Sequence, residues 1–260
     1  MNALLQKARE GNPLGIDMID IHGHIGRYAF AIPTLNVKSI VDSMNKLGIQ
    51  KTICSHMHCM GQNAENGNEE VYKAIQAYPG RIEGYISIYP FSREHVEIVV
   101  KKWLKAGFVG IKLHNANGLP YTHPHLEPAY KIANQRYLPI LFHTWGDEKE
   151  FEEIEEISSS YQNLSILMAH SGACKKEKYA EFALKHQNVY LDVTFSSAPA
   201  GLLEYFTERI GAQRIVWGSD VYFLNQAQQL GKVVGCNLSQ QEKSLILYNN
   251  ARQLLDRIQR

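Results

Sequence analysis

The chain has 260 residues, 45% of them apolar, with 27 basic and 26 acidic side chains for a formal charge of +1. A chain of this size can bury a large core, and its balanced charge supplies no field to hold nucleic acid or an anionic membrane, so a small-molecule substrate is expected. Four scattered cysteines (Cys54, Cys59, Cys174, Cys236) do not form a disulfide framework. The N-terminal run from Met1 to Lys7 lacks the apolar core of a secretory signal, and no run of about 18 apolar residues could span a membrane. A cytoplasmic protein is the expectation.

Short β-rich runs alternate along the chain with amphipathic segments. Strands are expected at Ile16–Ile21, Lys51–Ser55, Gly84–Ile88, Val109–Leu113, Leu138–Phe142, Leu164–Ala169, Val189–Val193 and Arg214–Gly218. Helices are expected between them at Val37–Leu47, Glu69–Ala77, Glu94–Ala106, Leu126–Asn134, Glu150–Ser158, Lys176–Leu184 and Ala200–Ile210, and a long one over Ser239–Ile258. Gly48, Gly107 and Gly211 stand where helices should end. Regular strand–helix alternation implies a parallel sheet covered by helices, and eight units in about 250 residues match one α/β domain over 1–260, a closed (β/α)8 TIM barrel. An open doubly wound sheet is the alternative, weakened by the lack of a Gly-x-Gly-x-x-Gly turn after the first strand.

In such barrels chemistry collects at the C-terminal ends of the strands. Strand one runs into Asp20-Ile21-His22-Gly23-His24, where alternate side chains share a face and His22 and His24 can point at one place. Strand five ends in His143, strand six in His170 and strand eight in Asp220. Each has a bland reading as a hydrogen-bonded rim residue or a helix cap, but four strands delivering four histidines and an aspartate to one rim favour a metal site. Zn²⁺ accepts imidazole nitrogen and carboxylate oxygen, and a catalytic site keeps one position open for a water whose pKa falls to about 7. Asp220 can then take the water's proton, and His170 can stabilise an oxyanion or share the relay.

With Asp20-Ile-His22-Gly-His24, Gly110-Ile-Lys112-Leu-His114, His143, Ala169-His170-Ser171-Gly172 and Trp217-Gly218-Ser219-Asp220 in this order, the chain resembles the amidohydrolase superfamily. The similarity is to its amidohydrolase-related branch, which includes aminocarboxymuconate-semialdehyde decarboxylase and pyrone-dicarboxylate lactonase. The resemblance implies a distorted (β/α)8 TIM barrel of the metal-dependent hydrolase type with a divalent ion, usually zinc, held by His22, His24, His143 and Asp220, and with His170 beside it. Mn²⁺ or a second ion are alternatives. Lys112 and His114 share a face of strand four. Some relatives carboxylate a lysine there to bridge two metals; the plainer reading is an ammonium that contacts a substrate anion or a rim carboxylate.

Around this rim, Arg27 can hold a substrate carboxylate, and Tyr28, Phe30, Trp145, Tyr222 and Phe223 can line a pocket for a flat ligand. Cys54-Ser55-His56-Met57-His58-Cys59 offers four ligand types in six residues but lacks a second paired motif; Cys54 is expected in the core and His56 or His58 at the pocket. His123 and His125 receive no role. Hydrolysis of an ester, lactone or amide is the first functional expectation, because the chain is short for the larger decarboxylases. Non-oxidative decarboxylation is the alternative, and a catalytically silent ligand-binding barrel is the reading from another class. Homodimerisation through outer helices is compatible with such a barrel.

Overall fold

The computed structural model describes residues 3–28 and 36–259. Eight parallel strands form one sheet in sequence order: β1 (Ile19–Ile25), β2 (Lys51–His56), β3 (Ile82–Ser87), β4 (Gly110–Leu113), β5 (Pro139–Phe142), β6 (Ser165–Met168), β7 (Val189–Asp192) and β8 (Ile215–Val216). Helices lie between them, making a TIM barrel. Among the described residues no regular ladder joins β8 to β1, only an isolated parallel bridge between Gly23 and Val221. Closure instead runs through irregular backbone after β8, where Ile21 N donates to Trp217 O (3.1 Å) and Ser219 N and Asp220 N both donate to His22 O (3.2 and 2.7 Å).

The expected helices are present as α2 (Val37–Leu47), α3 (Ala64–Ala77), α4 (Arg93–Lys105), α5 (Glu127–Arg136), α6 (Glu148–Ser160), α7 (Lys176–Lys185) and α8 (Leu202–Ile210). Gly48 caps α2 in the left-handed region at φ 77°, as its position suggested. Two helices went unread: α1 (Ala3–Arg9), which buries only Leu4, and α9 (Gln226–Gly235), whose buried face includes Gln226 and Gln229 and so breaks the apolar pattern. The C-terminal helix is interrupted. It comprises α10 (Gln240–Ser244), a π turn at Leu245–Asn249 and α11 (Asn250–Asp256), and Asn250 donates to Ala212 O (2.7 Å) and Ile215 O (2.6 Å) beneath β8. Ala251 and Leu254 of α11 then pack against Ile19, Ile21, Ile53, Tyr85, Val109, Leu141, Leu167 and Val216, which fill the barrel interior.

β1 departs most from expectation. The strand begins later than the apolar run and carries both histidines within it, with all seven residues buried. Between the pairs Asp20↔Thr52 and Gly23↔Cys54, β1 advances three residues while β2 advances two, so one extra residue bulges out of the ladder. The bulge changes which face each residue takes. Ile19 and Ile21 point inward, and beyond it His22 and His24 also point inward. Asp20 faces outward and accepts hydrogen bonds from Ser219 N (2.8 Å), Ser219 Oγ (2.5 Å), Gln226 Nε2 (3.0 Å) and His22 N (3.3 Å). That carboxylate fastens the bulge to the closing segment.

Gly218 lets the two segments approach, since a Cβ there would lie 2.4 Å from His22 Cβ and 2.6 Å from Thr194 Oγ1. Asp20→Ala should lower stability by about 3 kcal/mol, because several buried donors lose their acceptor together. Urea unfolding measures this; a change below about 0.5 kcal/mol would show that the clamp holds nothing.

Candidate metal centre

The barrel's C-terminal rim gathers His22, His24 and Asp220, whose ligand-type atoms all lie within 4.8 Å of one another. His22 Nε2 is 3.2 Å from His24 Nε2, and Asp220 Oδ1 is 3.1 Å from His24 Nε2 and 3.7 Å from His22 Nε2. Donors bonded at about 2.1 Å to one divalent ion stand about 3.0–3.4 Å apart. The spacing therefore resembles the edges of a coordination polyhedron.

The partners of these groups decide which lone pairs point inward. His22 Nδ1 is 2.6 Å from Asp192 Oδ2, both side chains being fully buried. A carboxylate accepts, so Nδ1 carries the proton and Nε2 presents a lone pair. Ser55 Oγ lies 2.9 Å from His24 Nδ1 and can accept from it in the same way. Two Nε2 lone pairs facing each other at this separation repel unless a cation lies between them. Burial first, then the neighbouring Lys112, pulls His22 and His143 well below their ordinary pKa, and burial also lowers that of His170. These imidazoles are neutral, as ligands must be. Against the upward push of burial, the His24 hydrogen bond and nearby His22 and His170 hold Asp220 below the usual carboxylate range. Asp192 is raised by burial to about 6 and is still ionised at neutral pH.

His143 stands beside the trio rather than within it. Its ring stacks on His114 at 3.8 Å between centroids and meets His170 edge-on at 4.6 Å, and its buried Nε2 has no hydrogen-bond partner among the described residues. An orphaned imidazole nitrogen at the rim of a donor cluster is a fourth nitrogen for a cation. The ring of His170 lies 5.2 Å from that of His22, and His170 Nδ1 donates to Thr194 O at 2.5 Å. A carbonyl only accepts, so His170 Nε2 is left as an acceptor. His170 (φ 59°) and Asp220 (φ 56°) both take the left-handed backbone region, a cost that sites of chemistry often carry. Lys112 is fully buried, with Nζ 3.3 Å from His22 Nε2.

The rim residues divide. Trp145 is 57% exposed, stacks over His170 at 5.9 Å and 20°, and meets His143 edge-on at 4.3 Å. Elsewhere on the rim, Phe223 contacts the ring of His24 at 5.8 Å and that of Tyr28 at 4.9 Å. Tyr222 packs against the outer core, so its neighbour Phe223 supplies the aromatic face on this side. Arg27 is exposed just beyond β1, and Phe30 lies outside the described residues. Cys54 is buried in the core. The His56 ring fills the space where a Cβ of Gly26 would stand, 2.1 Å from Nε2, which makes it a wall of the β1 loop. His125 Nδ1 bonds Pro90 O at 2.9 Å, a structural tie.

Asp192, Ser55, Thr194 and Glu150 went unread in the sequence. Asp192 ends β7, so the rule that selected strand-terminal residues elsewhere would have found it. Glu150 is buried at the third position of α6, and its Oε2 accepts from the backbone N–H of Trp145 (2.7 Å), Gly146 (3.0 Å) and Asp147 (3.2 Å), fixing the loop that carries Trp145.

The amidohydrolase family model matches residues 19–257. Solved structures similar to this chain include an uncharacterized TIM-barrel protein of Bordetella bronchiseptica (17% identity, 93% of this chain and 99% of the other, TM-score 0.78). A dihydroxybenzoic acid decarboxylase of a Polaromonas species, with manganese and the inhibitor 2-nitroresorcinol, matches at 15% identity over 93% of this chain and 97% of the other (TM-score 0.77). The 5-carboxyvanillate decarboxylase of Sphingomonas paucimobilis matches at 12% identity over 94% and 100% (TM-score 0.71). No curated protein sequence matches the chain.

Asp192→Asn should weaken divalent-metal affinity about 10–100-fold, because the amide no longer imposes the His22 tautomer. Calorimetric titration of metal-stripped protein measures it; unchanged affinity would remove Asp192 from the site. By its family match the chain belongs to the amidohydrolase family of metal-dependent enzymes.

Proposed function

We propose that the protein removes CO2 non-oxidatively from a small, flat, hydroxylated carboxylic acid, using one divalent ion, zinc or manganese, held by His22, His24 and Asp220 with His143 available beside them. The observation that carries this reading is the pairing of the three-donor cluster with two aromatic side chains on different histidines of the rim, Trp145 over His170 and Phe223 against His24. Aromatic rings beside a cation site suit a planar anion better than an extended chain. The similar decarboxylase structures match over nearly their whole length, which removes the chain-length reason for ranking hydrolysis first.

When bound, the ion would act as a Lewis acid that orients the substrate's oxygens and draws charge toward them. His170, with Nδ1–H committed to Thr194 O, accepts the proton of a substrate hydroxyl through Nε2. The electron density released raises the basicity of the ring carbon that bears the carboxylate. That carbon takes a proton that Asp220, itself ionised, relays from solvent; the carbon–carboxylate bond breaks, CO2 leaves while its bonding pair remains with the ring, and His170 returns the hydroxyl proton to the product oxygen. Trp145 and Phe223 hold the ring and keep water off the reacting carbon.

A second reading, hydrolysis of a lactone or ester, is supported by the same Asp220 carboxylate, held ionised and able to take a proton from water. Parallel assays of CO2 release and of acid release, on hydroxybenzoates and on cyclic esters, separate the two. CO2 without hydrolytic product is expected; acid release without CO2 would reverse the assignment. Asp220→Asn should cut kcat by at least about 100-fold, a loss in the range of general acid–base catalysis. Steady-state kinetics with metal content measured alongside checks this, and a variant retaining metal and full kcat would remove Asp220 from the proton path.

A further inference from the structure

Lys112 is an ammonium buried without a counter-charge. It lies on β4, is 0% exposed, and directs Nζ into the barrel mouth, where its one hydrogen-bond partner among the described residues is His22 Nε2 at 3.3 Å. The other fully buried lysine, Lys243, donates to a carbonyl, Val234 O (2.8 Å), that no cation site claims; Lys232 donates to Val193 O (2.9 Å) and Phe195 O (2.6 Å), and Lys51 pairs with Glu83. Among the described residues no carboxylate reaches Lys112 within ion-pair distance; Asp220 and Asp192 act on it only from farther away. The other side chains around it are His24, His114, His143, His170 and the buried Cys59, whose thiol burial pushes up to about 11, so none of them supplies a negative charge at neutral pH.

Its partner is also the atom that faces the cation position. A lone pair given to a cation cannot accept a hydrogen bond, so a loaded site deprives Lys112 of its partner and sets two positive centres side by side. Asp192 and Asp220 balance a divalent ion, which leaves the ammonium over. A buried charge without hydrogen bonds or an opposite charge is costly, and the arrangement persists only if an anion completes it.

We propose that Lys112 is the anchor for an anionic oxygen of the substrate, which bridges Nζ and the three-donor site, so that the substrate class is small organic acid anions rather than neutral esters or amides. This rests on the metal-site reading above and sharpens it. The anchor acts in binding, through a charge-assisted hydrogen bond that also sets the ligand's register against Trp145.

The test is calorimetric titration of the metal-loaded protein with salicylate and with its neutral counterpart salicylamide, for wild type and for Lys112→Met. Wild type should bind the anion at least about ten-fold more tightly than the amide, and Lys112→Met should lose that preference by weakening the anion at least about ten-fold while leaving the amide within about two-fold. Removal of an unpaired buried charge should leave the ligand-free Tm of the variant equal to or above that of wild type. A merely structural lysine would give a lower Tm and an unchanged preference. The proposal is overturned if wild type shows no anion preference, or if Lys112→Met retains it. It is also overturned if both Lys112→Met and Lys112→Gln lose their metal or their cooperative unfolding, since an ammonium that only opposes the cation is not needed to hold it. Because the readout involves no turnover, finding acid release in place of CO2 would overturn the reaction proposed above and leave this preference standing.

Discussion

One extra residue in β1 governs the geometry of the rim. A strict two-residue alternation running from Ile19 would send His22 outward with Asp20, away from the barrel mouth, and the bulge between Asp20 and Gly23 turns both histidines inward. The same bulge leaves Asp20 on the outer face, where it accepts from Ser219 and Gln226 and fixes the segment after β8. That segment carries Asp220, held in the left-handed region by its backbone bond to His22 O. Barrel closure and the meeting of His22, His24 and Asp220 are therefore one event. The irregularity that distorts the barrel is what makes the donor cluster.

Around that cluster, hydrogen bonds to atoms without chemistry of their own assign the protons. Asp192 fixes His22, Ser55 can fix His24, and the carbonyl of Thr194 fixes His170. In each ring the nitrogen facing the mouth is left to accept. Burial reinforces this by disfavouring imidazolium, and it explains how several histidines and a lysine share a small volume without mutual repulsion among the rings. The aromatic surfaces are fixed as firmly. Glu150 takes three backbone N–H groups of the turn that presents Trp145, so an exposed tryptophan stands on a rigid loop.

Much of the barrel was legible because its signals are local. Strand runs such as Lys51–Ser55 and helices such as Val37–Leu47 appear in the structure with little change, since apolar periodicity and a glycine cap decide them. Strand-terminal His22, His24 and Asp220 were legible because parallel strands of a barrel end on one rim, and the structure brings their ligand atoms together. What stayed hidden depends on tertiary contact. The β1 bulge has no sequence signature, as it follows from the close approach that Gly218 permits. α9 hides behind Gln226 and Gln229, polar residues buried because they reach Asp20 and Phe195 N. The turn after β8 was read as carrying two pocket aromatics, yet Tyr222 faces the outer core and Phe223 faces His24, a choice made by backbone that departs from strand alternation.

Diffraction from crystals grown with manganese and recorded at a wavelength where that ion scatters anomalously locates the cation directly. The expected result is one strong anomalous peak within bonding distance of His22 Nε2, His24 Nε2 and Asp220 Oδ1. A map with no peak there, and ions only at exposed carboxylates, would contradict the metal-centred reading of this barrel.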